Sequence, residues 1–127
     1  MPVVTVPILK QGDVLIASMQ EALTDHALIE FRDRLSDQVG RARARVVIID
    51  VTALDVLDSF ATRTLRSIAY TAQLRGARTV VVGIQPEVAF AMVQLGLTLE
   101  SVETALDLEE GLALVGAIAG SGGHAAH

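Results

Sequence analysis

The segment 55–60 reads DVLDSF and brings two carboxylates, Asp55 and Asp58, next to the hydroxyl of Ser59. One interpretation is structural: Asp58 or Ser59 caps the following helix by accepting a hydrogen bond from an orphan amide, a role worth about 1 kcal/mol. The other is regulatory: Ser59 accepts a phosphoryl group from a protein kinase. A helix N-terminus tolerates a phosphate because its free amides and positive dipole end favour negative charge. The residues alone leave both interpretations open.

A phosphate on Ser59 would change the surface around it. It adds about −1.5 to −2 charges beside Asp55 and Asp58, so a partner surface fitted to a neutral hydroxyl would be repelled. Phe60 follows directly and would flank the same surface. Two more hydroxyls follow, and Thr62 lies about one helical turn from Ser59. Thr62 and Thr64 are either secondary acceptors or exposed helix residues.

Asp50 is a second candidate, because it ends the apolar run VVIID. A carboxylate at the end of a buried parallel strand could accept a phosphoryl group, as in a two-component receiver domain. That chemistry needs further acids for Mg²⁺ at an earlier strand end and a lysine to balance charge. The first two predicted strands end in Lys10 and Ser18, and Lys10 is the only lysine. The alternative is that Asp50 hydrogen-bonds the turn that follows it.

The glycines offer a third candidate at Gly83-Ile84-Gln85-Pro86, which lies at a strand–helix junction. This stretch has one glycine and no Lys-Ser/Thr pair, so it is a poor nucleotide loop. It favours a turn followed by a proline at the start of a helix. The glycines at 120–123 do not lie between a strand and a helix and cannot place helix amides around a phosphate.

The composition excludes several classes of chemistry. The 127 residues contain no cysteine, which excludes disulfides, thiol catalysis and cysteine-ligated metals. We expect no metal and no cofactor, since two of the three histidines lie in the Gly/Ala-rich end. The net charge of −5 disfavours nucleic acid and anionic membranes as partners. No apolar run approaches the roughly 20 residues of a membrane span, so a cytoplasmic protein is expected.

Charge is unevenly distributed along the chain. Nine of the ten basic residues are arginine, none of them follows Arg78, and every charged residue from Glu87 onward is acidic. This asymmetry indicates either a dipolar surface that orients a protein partner or simply a solvated surface.

The elements that position these residues follow from hydrophobic periodicity and turn signals. Strands are predicted at 3–10, 14–18, 46–51, 79–84 and near 102, and helices at 24–40, 58–74, 86–95 and 107–117. The order predicts an α/β fold, with a mixed sheet of four to five strands flanked by about four helices. The core should be aliphatic, because only four residues are aromatic. We predict one domain at 1–118 and a flexible C-terminal tail at 119–127.

The ββαβαβα order, the strand VVIIDV and the run LDSF at 57–60 resemble a STAS domain, the fold of bacterial anti-sigma-factor antagonists. The stretches LRGA at 74–77, GIQPEVA at 83–89 and LG at 95–96 resemble, more narrowly, the RsbS type found in the stressosome. The likeness covers about residues 3–117. SpoIIAA-like antagonists have glycine and a second small residue after the serine, whereas in this chain the serine is followed by Phe60-Ala61-Thr62. RsbR-type proteins add an N-terminal sensor domain and usually carry a threonine at the phosphosite.

The resemblance implies a non-catalytic scaffold and phospho-switch rather than an enzyme. An RsbS-like protein would assemble with RsbR-type STAS proteins and hold an RsbT-type kinase until the kinase phosphorylates the serine and leaves. An RsbX-type phosphatase would reset it. By position, Ser59 is then the phosphoacceptor. Adjacency implies a partner-docking surface at Asp55, Asp58, Phe60 and Thr62. A SpoIIAA-type antagonist, which binds an anti-sigma kinase to free a sigma factor, is the alternative.

Overall fold

The computed structural model describes residues 5–100 and 102–125, the last part (117–125) as helical backbone only. Nine elements follow one another along this part of the chain. They are β1 (Ile8–Gln11), β2 (Val14–Ser18), α1 (Asp25–Ala42), β3 (Val46–Asp50), α2 (Ser59–Leu74), β4 (Arg78–Val82), α3 (Pro86–Gln94), β5 (Glu103–Ala105) and α4 (Leu108–Ala125). The predicted mixed sheet and the four helices are confirmed.

The five strands lie in the order in which they occur in the chain. β1 pairs antiparallel with β2, and the remaining neighbours are parallel. β1 is an edge strand, as predicted, but it begins at Ile8 rather than near residue 3, and residues 1–4 lie outside the described part. Pro7 has no backbone N–H to donate to the ladder, so regular pairing starts after it.

The alternation of side chains along the central strands separates two apolar layers. Val47 and Ile49 of β3 face a core that α1, α2 and α3 cover. Val46 and Ile48 face the other layer, which contains Val115 of α4. Both faces of the sheet are therefore covered, and this explains why VVIID is continuously apolar instead of alternating.

The helix boundaries follow local signals. Thr24 caps α1 by accepting a hydrogen bond from the backbone N–H of Ala27 at 3.1 Å. Asp107 caps α4 in the same way, accepting from the N–H of Glu110 at 2.8 Å. The predicted inward face of α1 is confirmed, with Leu28, Phe31, Leu35 and Val39 buried. The buried core is aliphatic apart from Phe31 and two methionines.

The last helix is longer than the sequence predicts. α4 continues to Ala125, beyond the predicted end near 117 and through most of the segment expected to be a tail. Glycines at 120, 122 and 123 have low helix propensity, which is why the sequence predicts an earlier end. Flexibility of 119–127, whose side chains lie outside the described part, stays a prediction.

Candidate functional site

The DVLDSF segment lies at the carboxyl ends of the parallel strands. β3 ends at Asp50, a loop covers residues 51–58, and α2 begins at Ser59. Neighbouring parallel strands end at this same edge, so the loops that follow β2 and β4 lie beside the β3–α2 loop. In open α/β sheets, ligands bind outside the carboxyl ends of the strands.

Asp50 organises the start of the loop. Its Oδ1 accepts hydrogen bonds from the backbone N–H of Thr52 at 2.9 Å and from the Thr52 hydroxyl at 2.6 Å. The interpretation of Asp50 as a turn residue is confirmed. Its partners in register on the neighbouring strands are Ser18 and Val82, neither of which supplies the carboxylate that a receiver site would need.

The β4–α3 loop holds the middle of the β3–α2 loop. The side-chain amide of Gln85 donates to the carbonyl oxygen of Thr52 at 2.7 Å. Gly83, at φ +82°, lies so close that a Cβ there would approach the Cα of Thr52 to 3.0 Å. Pro86 is the first residue of α3, so the expected turn and proline start are confirmed. The Gln85–Thr52 bond joins positions 33 apart, and no local signal in the sequence reveals it.

Asp58, and not Ser59, is the N-cap of α2. Its Oδ1 accepts from the backbone N–H of Ala61 at 2.8 Å, and its backbone is extended, as a cap residue requires. Ser59 is the first residue of the helix and is half-buried. None of the hydrogen bonds found among the described residues engages the Ser59 hydroxyl. The cap interpretation therefore applies to Asp58, and the hydroxyl next to it is left available.

The residues around Ser59 are partly exposed and partly buried. Asp55 and Asp58 are exposed, whereas Leu57 is buried and Phe60 is half-buried against the core. Val56, which the sequence did not single out, is 60% exposed. The sequence feature that could have revealed Val56 is its position between Leu54 and Leu57. These two leucines are buried and anchor the loop, so Val56 lies on the outside. The surface beside Ser59 thus offers two carboxylates and one apolar side chain.

Thr62 does not belong to this surface, and that prediction is wrong. Its relative exposure is 0%, and its hydroxyl has no hydrogen-bond partner. Thr64 is also buried, and its hydroxyl donates to the carbonyl of Phe60 at 2.8 Å. Both were expected as exposed residues or secondary acceptors. The inward face of α2 begins at Thr62 and continues through Leu65 and Ala69 at helical spacing, so the core starts within the first turn.

The charge asymmetry of the sequence becomes a difference between the two edges of the sheet. The segments at the carboxyl edge contain no lysine or arginine and carry Glu21, Asp25, Asp55, Asp58, Glu87, Asp107, Glu109 and Glu110. The opposite edge, where α1 and α2 end and the parallel strands begin, carries six basic residues and three acidic ones, which are Lys10, Arg41, Arg43, Arg45, Arg75 and Arg78 with Asp13, Asp37 and Glu103. Ser59 therefore lies at the acidic edge.

Within 5–100 and 102–125, no group of three or more His, Asp or Glu side chains is arranged to hold a metal ion. No helix in the same part of the chain is both long enough and apolar enough to cross a membrane.

Comparison with known proteins agrees with this geometry. A model of the STAS domain matches residues 5–111. RsbS from Moorella thermoacetica, solved as a Ser-to-Glu variant, is 36% identical, with a TM-score of 0.78 over 90% of this chain and 97% of that chain. A chain in a structure of the molecular architecture of the stressosome is also 36% identical, with a TM-score of 0.74 over 89% of this chain and 98% of that one.

A curated relative is the RsbT co-antagonist protein RsbRA of Bacillus subtilis (strain 168), 32% identical over 80 residues. The match covers 63% of this chain but 29% of RsbRA, so the chain spans less than a third of that relative. The predicted resemblance is confirmed at the level of family and fold. The chain belongs to the STAS domain family, with the fold of the RsbS- and RsbR-like antagonists.

Proposed function

We propose that this protein is a non-catalytic stressosome scaffold of the RsbS type that works as a phospho-switch. In the unphosphorylated state it holds an RsbT-type serine kinase. When that kinase transfers a phosphoryl group to Ser59, the kinase is released and the general stress response is activated. An RsbX-type phosphatase removes the phosphate and restores the holding state.

The observation that carries the proposal is the division of roles between Asp58 and Ser59. Asp58 provides the cap of α2, so the Ser59 hydroxyl contributes nothing to the cap and can be modified without loss of the helix start. The N-terminal position favours the added negative charge. At the same time Asp55 and Asp58 already make this surface acidic, and a phosphate there strengthens the repulsion of any partner fitted to the neutral form.

The relatives support the finer parts of the proposal. RsbS is 36% identical over 97% of its solved chain, and RsbRA is described as a co-antagonist of RsbT. We infer from these likenesses that the partners are RsbR-type STAS proteins and an RsbT-type kinase, and that the protein functions as a homo- and hetero-oligomer. The docking surface includes Ser59, Asp55, Asp58 and Val56. Phe60 packs against the core beneath this surface.

The first experiment measures phosphorylation directly. The purified chain is incubated with an RsbT-type kinase and ATP, and its intact mass is followed. We expect one added phosphate, mapped to Ser59 by fragmentation and absent from Ser59→Ala. Because Thr62 is buried, Thr62→Val should take up the phosphate as the wild type does. Unchanged phosphorylation of Ser59→Ala would reject Ser59 as the acceptor.

The second experiment measures release. Ser59→Asp should bind the kinase at least tenfold more weakly than the wild type in a titration at fixed ionic strength, while its circular dichroism spectrum stays unchanged. Ser67→Asp, an exposed serine two turns further along α2, is the matched control for added charge. Equal affinity of Ser59→Asp and the wild type would reject the switch.

Particle size separates the proposal from its alternative, a SpoIIAA-type antagonist that binds an anti-sigma kinase to free a sigma factor. A scaffold mixed with an RsbR-type partner forms large particles in light scattering, whereas an antagonist remains a small species in the same mixture.

A further inference from the structure

The outer face of α2 carries basic residues in line with Ser59. Arg63 follows Ser59 by four residues and Arg66 follows by seven, so both lie on the same side of the helix as the serine. Residues four apart on a helix have Cβ atoms about 6 Å apart. Because helical side chains lean towards the N-terminus, an arginine at position 63 can reach the turn that contains Ser59.

The two arginines differ in what already binds them. The guanidinium of Arg66 donates to the hydroxyl of Thr98 at 3.4 Å, and Arg66, Tyr70 and Glu100 line a broad groove beside α2. Arg63 is exposed at the end of that groove nearer to Ser59. Among the described residues, Arg63 forms no ion pair, and neither Asp55 nor Asp58 binds it.

An anionic group at position 59 would complete an ion pair with Arg63. An acidic group four residues before a basic one is the favoured order for an ion pair along a helix. A phosphate also prefers arginine, whose planar guanidinium can donate two parallel hydrogen bonds. A phosphate at the first residue of α2 meets the positive end of the helix dipole as well.

We infer that Arg63 is a positioning residue that binds the phosphate of phosphorylated Ser59 within the same chain. The inference rests on the proposed function only for the identity of the modified serine. The Arg63 guanidinium turns the phosphate along the outer face of α2, away from Asp55 and Asp58, and favours its doubly ionised form near neutral pH. The modified surface then carries its full negative charge in a fixed place, which is what repels a partner.

The test installs phosphoserine at position 59 of the full chain by genetic-code expansion, so that no kinase is required. A pH titration followed by phosphorus NMR at low salt gives the second pKa of the phosphate, ordinarily about 6. We expect this pKa to be higher in Arg63→Ala than in the wild type by about 0.3. Arg63→Lys should restore part of the difference, and Arg66→Ala, the matched control, should leave the pKa unchanged.

The remaining charged groups at this edge are the same in all four proteins, so their effect cancels. They are Glu21, Asp25, His26, Asp55, Asp58, Glu87, Asp107, Glu109 and Glu110. In 0.5 M salt the difference between wild type and Arg63→Ala should shrink, because salt screens an exposed pair. Arg63→Gln replaces Arg63→Ala if the alanine variant does not fold.

An equal phosphate pKa in wild type and Arg63→Ala would overturn the inference. So would an equal rise in Arg66→Ala, which would mean a general effect of surface charge. Neither result depends on a kinase, whereas the proposed function fails when a kinase leaves Ser59 unmodified.

Discussion

The two edges of the sheet differ in what packs against a glycine in each of them. At the carboxyl edge, Gly83 lies against the backbone of Thr52, and the side chain of Gln85 binds the Thr52 carbonyl. At the amino edge, the flexible Arg75 side chain crosses Gly40 of α1 and donates to the carbonyl of Ser36 at 3.1 Å. The edges therefore differ in what a larger residue would meet: a Cβ at Gly83 would meet the backbone of Thr52, whereas a Cβ at Gly40 would meet only the end of the Arg75 side chain.

The same edges also differ in charge, as acidic loops on one side and arginines on the other. Two of the arginine-edge cations are paired locally, Arg41 with Asp37 at 3.0 Å and Arg78 with Glu103. At the proposed switch, a closely packed backbone therefore coincides with a surface of one charge sign. Four sets of variants test this contrast.

Gly83→Ala should cause the largest effect. The residue adopts φ +82°, and an added Cβ would approach the Cβ and Cα of Thr52 to 2.9 and 3.0 Å. Strain and collision with backbone should lower the free energy of unfolding by about 2–4 kcal/mol in urea denaturation. Gly96→Ala is the matched control, because Gly96 has φ +69° with open space around it, and should cost about 1 kcal/mol. Equal losses of unfolding free energy in Gly83→Ala and Gly96→Ala would show that the close approach to Thr52 is not the cause.

Asp58→Ala should lower the free energy of unfolding by about 1 kcal/mol, since the first turn of α2 loses its side-chain cap. Ser59→Ala should change it by less than about 0.5 kcal/mol. Thermal or urea denaturation of the two variants under identical conditions makes the comparison. If Ser59→Ala lowered the free energy of unfolding as much as Asp58→Ala, Ser59 and not Asp58 would be the capping residue.

Thr62→Val should stabilise the protein by about 0.5–1 kcal/mol, because it removes a buried hydroxyl without a hydrogen-bond partner. Thr79→Val is the matched control near the amino edge. The Thr79 hydroxyl is also unpaired, but Thr79 lines a cavity of about 250 Å³ that has room for water, so its removal should gain less. A larger gain for Thr79→Val in urea denaturation would contradict this difference.

Gly40→Ala should have the smallest effect, within about 0.5 kcal/mol of the wild type. The new Cβ would displace the end of the Arg75 side chain rather than backbone, and the lost hydrogen bond to Ser36 is offset by the higher helix propensity of alanine. Arg75→Ala, measured alone and combined with Gly40→Ala, isolates the contribution of the contact. A loss comparable to that of Gly83→Ala would erase the contrast between the edges.

The fold was largely predictable because its signals are local. Continuous β-branched runs marked β3 and β4, and Thr24, Pro86 and Asp107 marked helix starts. The errors lie at the ends of the chain, where β1 begins later and α4 continues further than predicted. At the first of these ends, Pro7 decides where regular pairing starts.

The site was predictable only in part. The DVLDSF segment places Ser59 at the start of a helix, but both Asp58 and Ser59 are good cap residues, and only the bond from Ala61 decides between them. The sequence predicts Thr62 at the surface because it lies about one helical turn from Ser59. Its burial follows from the direction in which α2 packs on the sheet, which depends on residues far away in the chain.

Residue order alone determined the strand and helix types and the place of Ser59 after the strand VVIID, because these depend on neighbours within a few positions, and composition alone determined the aliphatic core and the absence of cysteine chemistry. Tertiary structure decided which hydroxyls face outward, which loops hold the β3–α2 loop and that the uneven charges collect on opposite edges. These properties arise when parallel strands align their carboxyl ends and bring together Thr52, Gly83 and Gln85, residues from two separate loops.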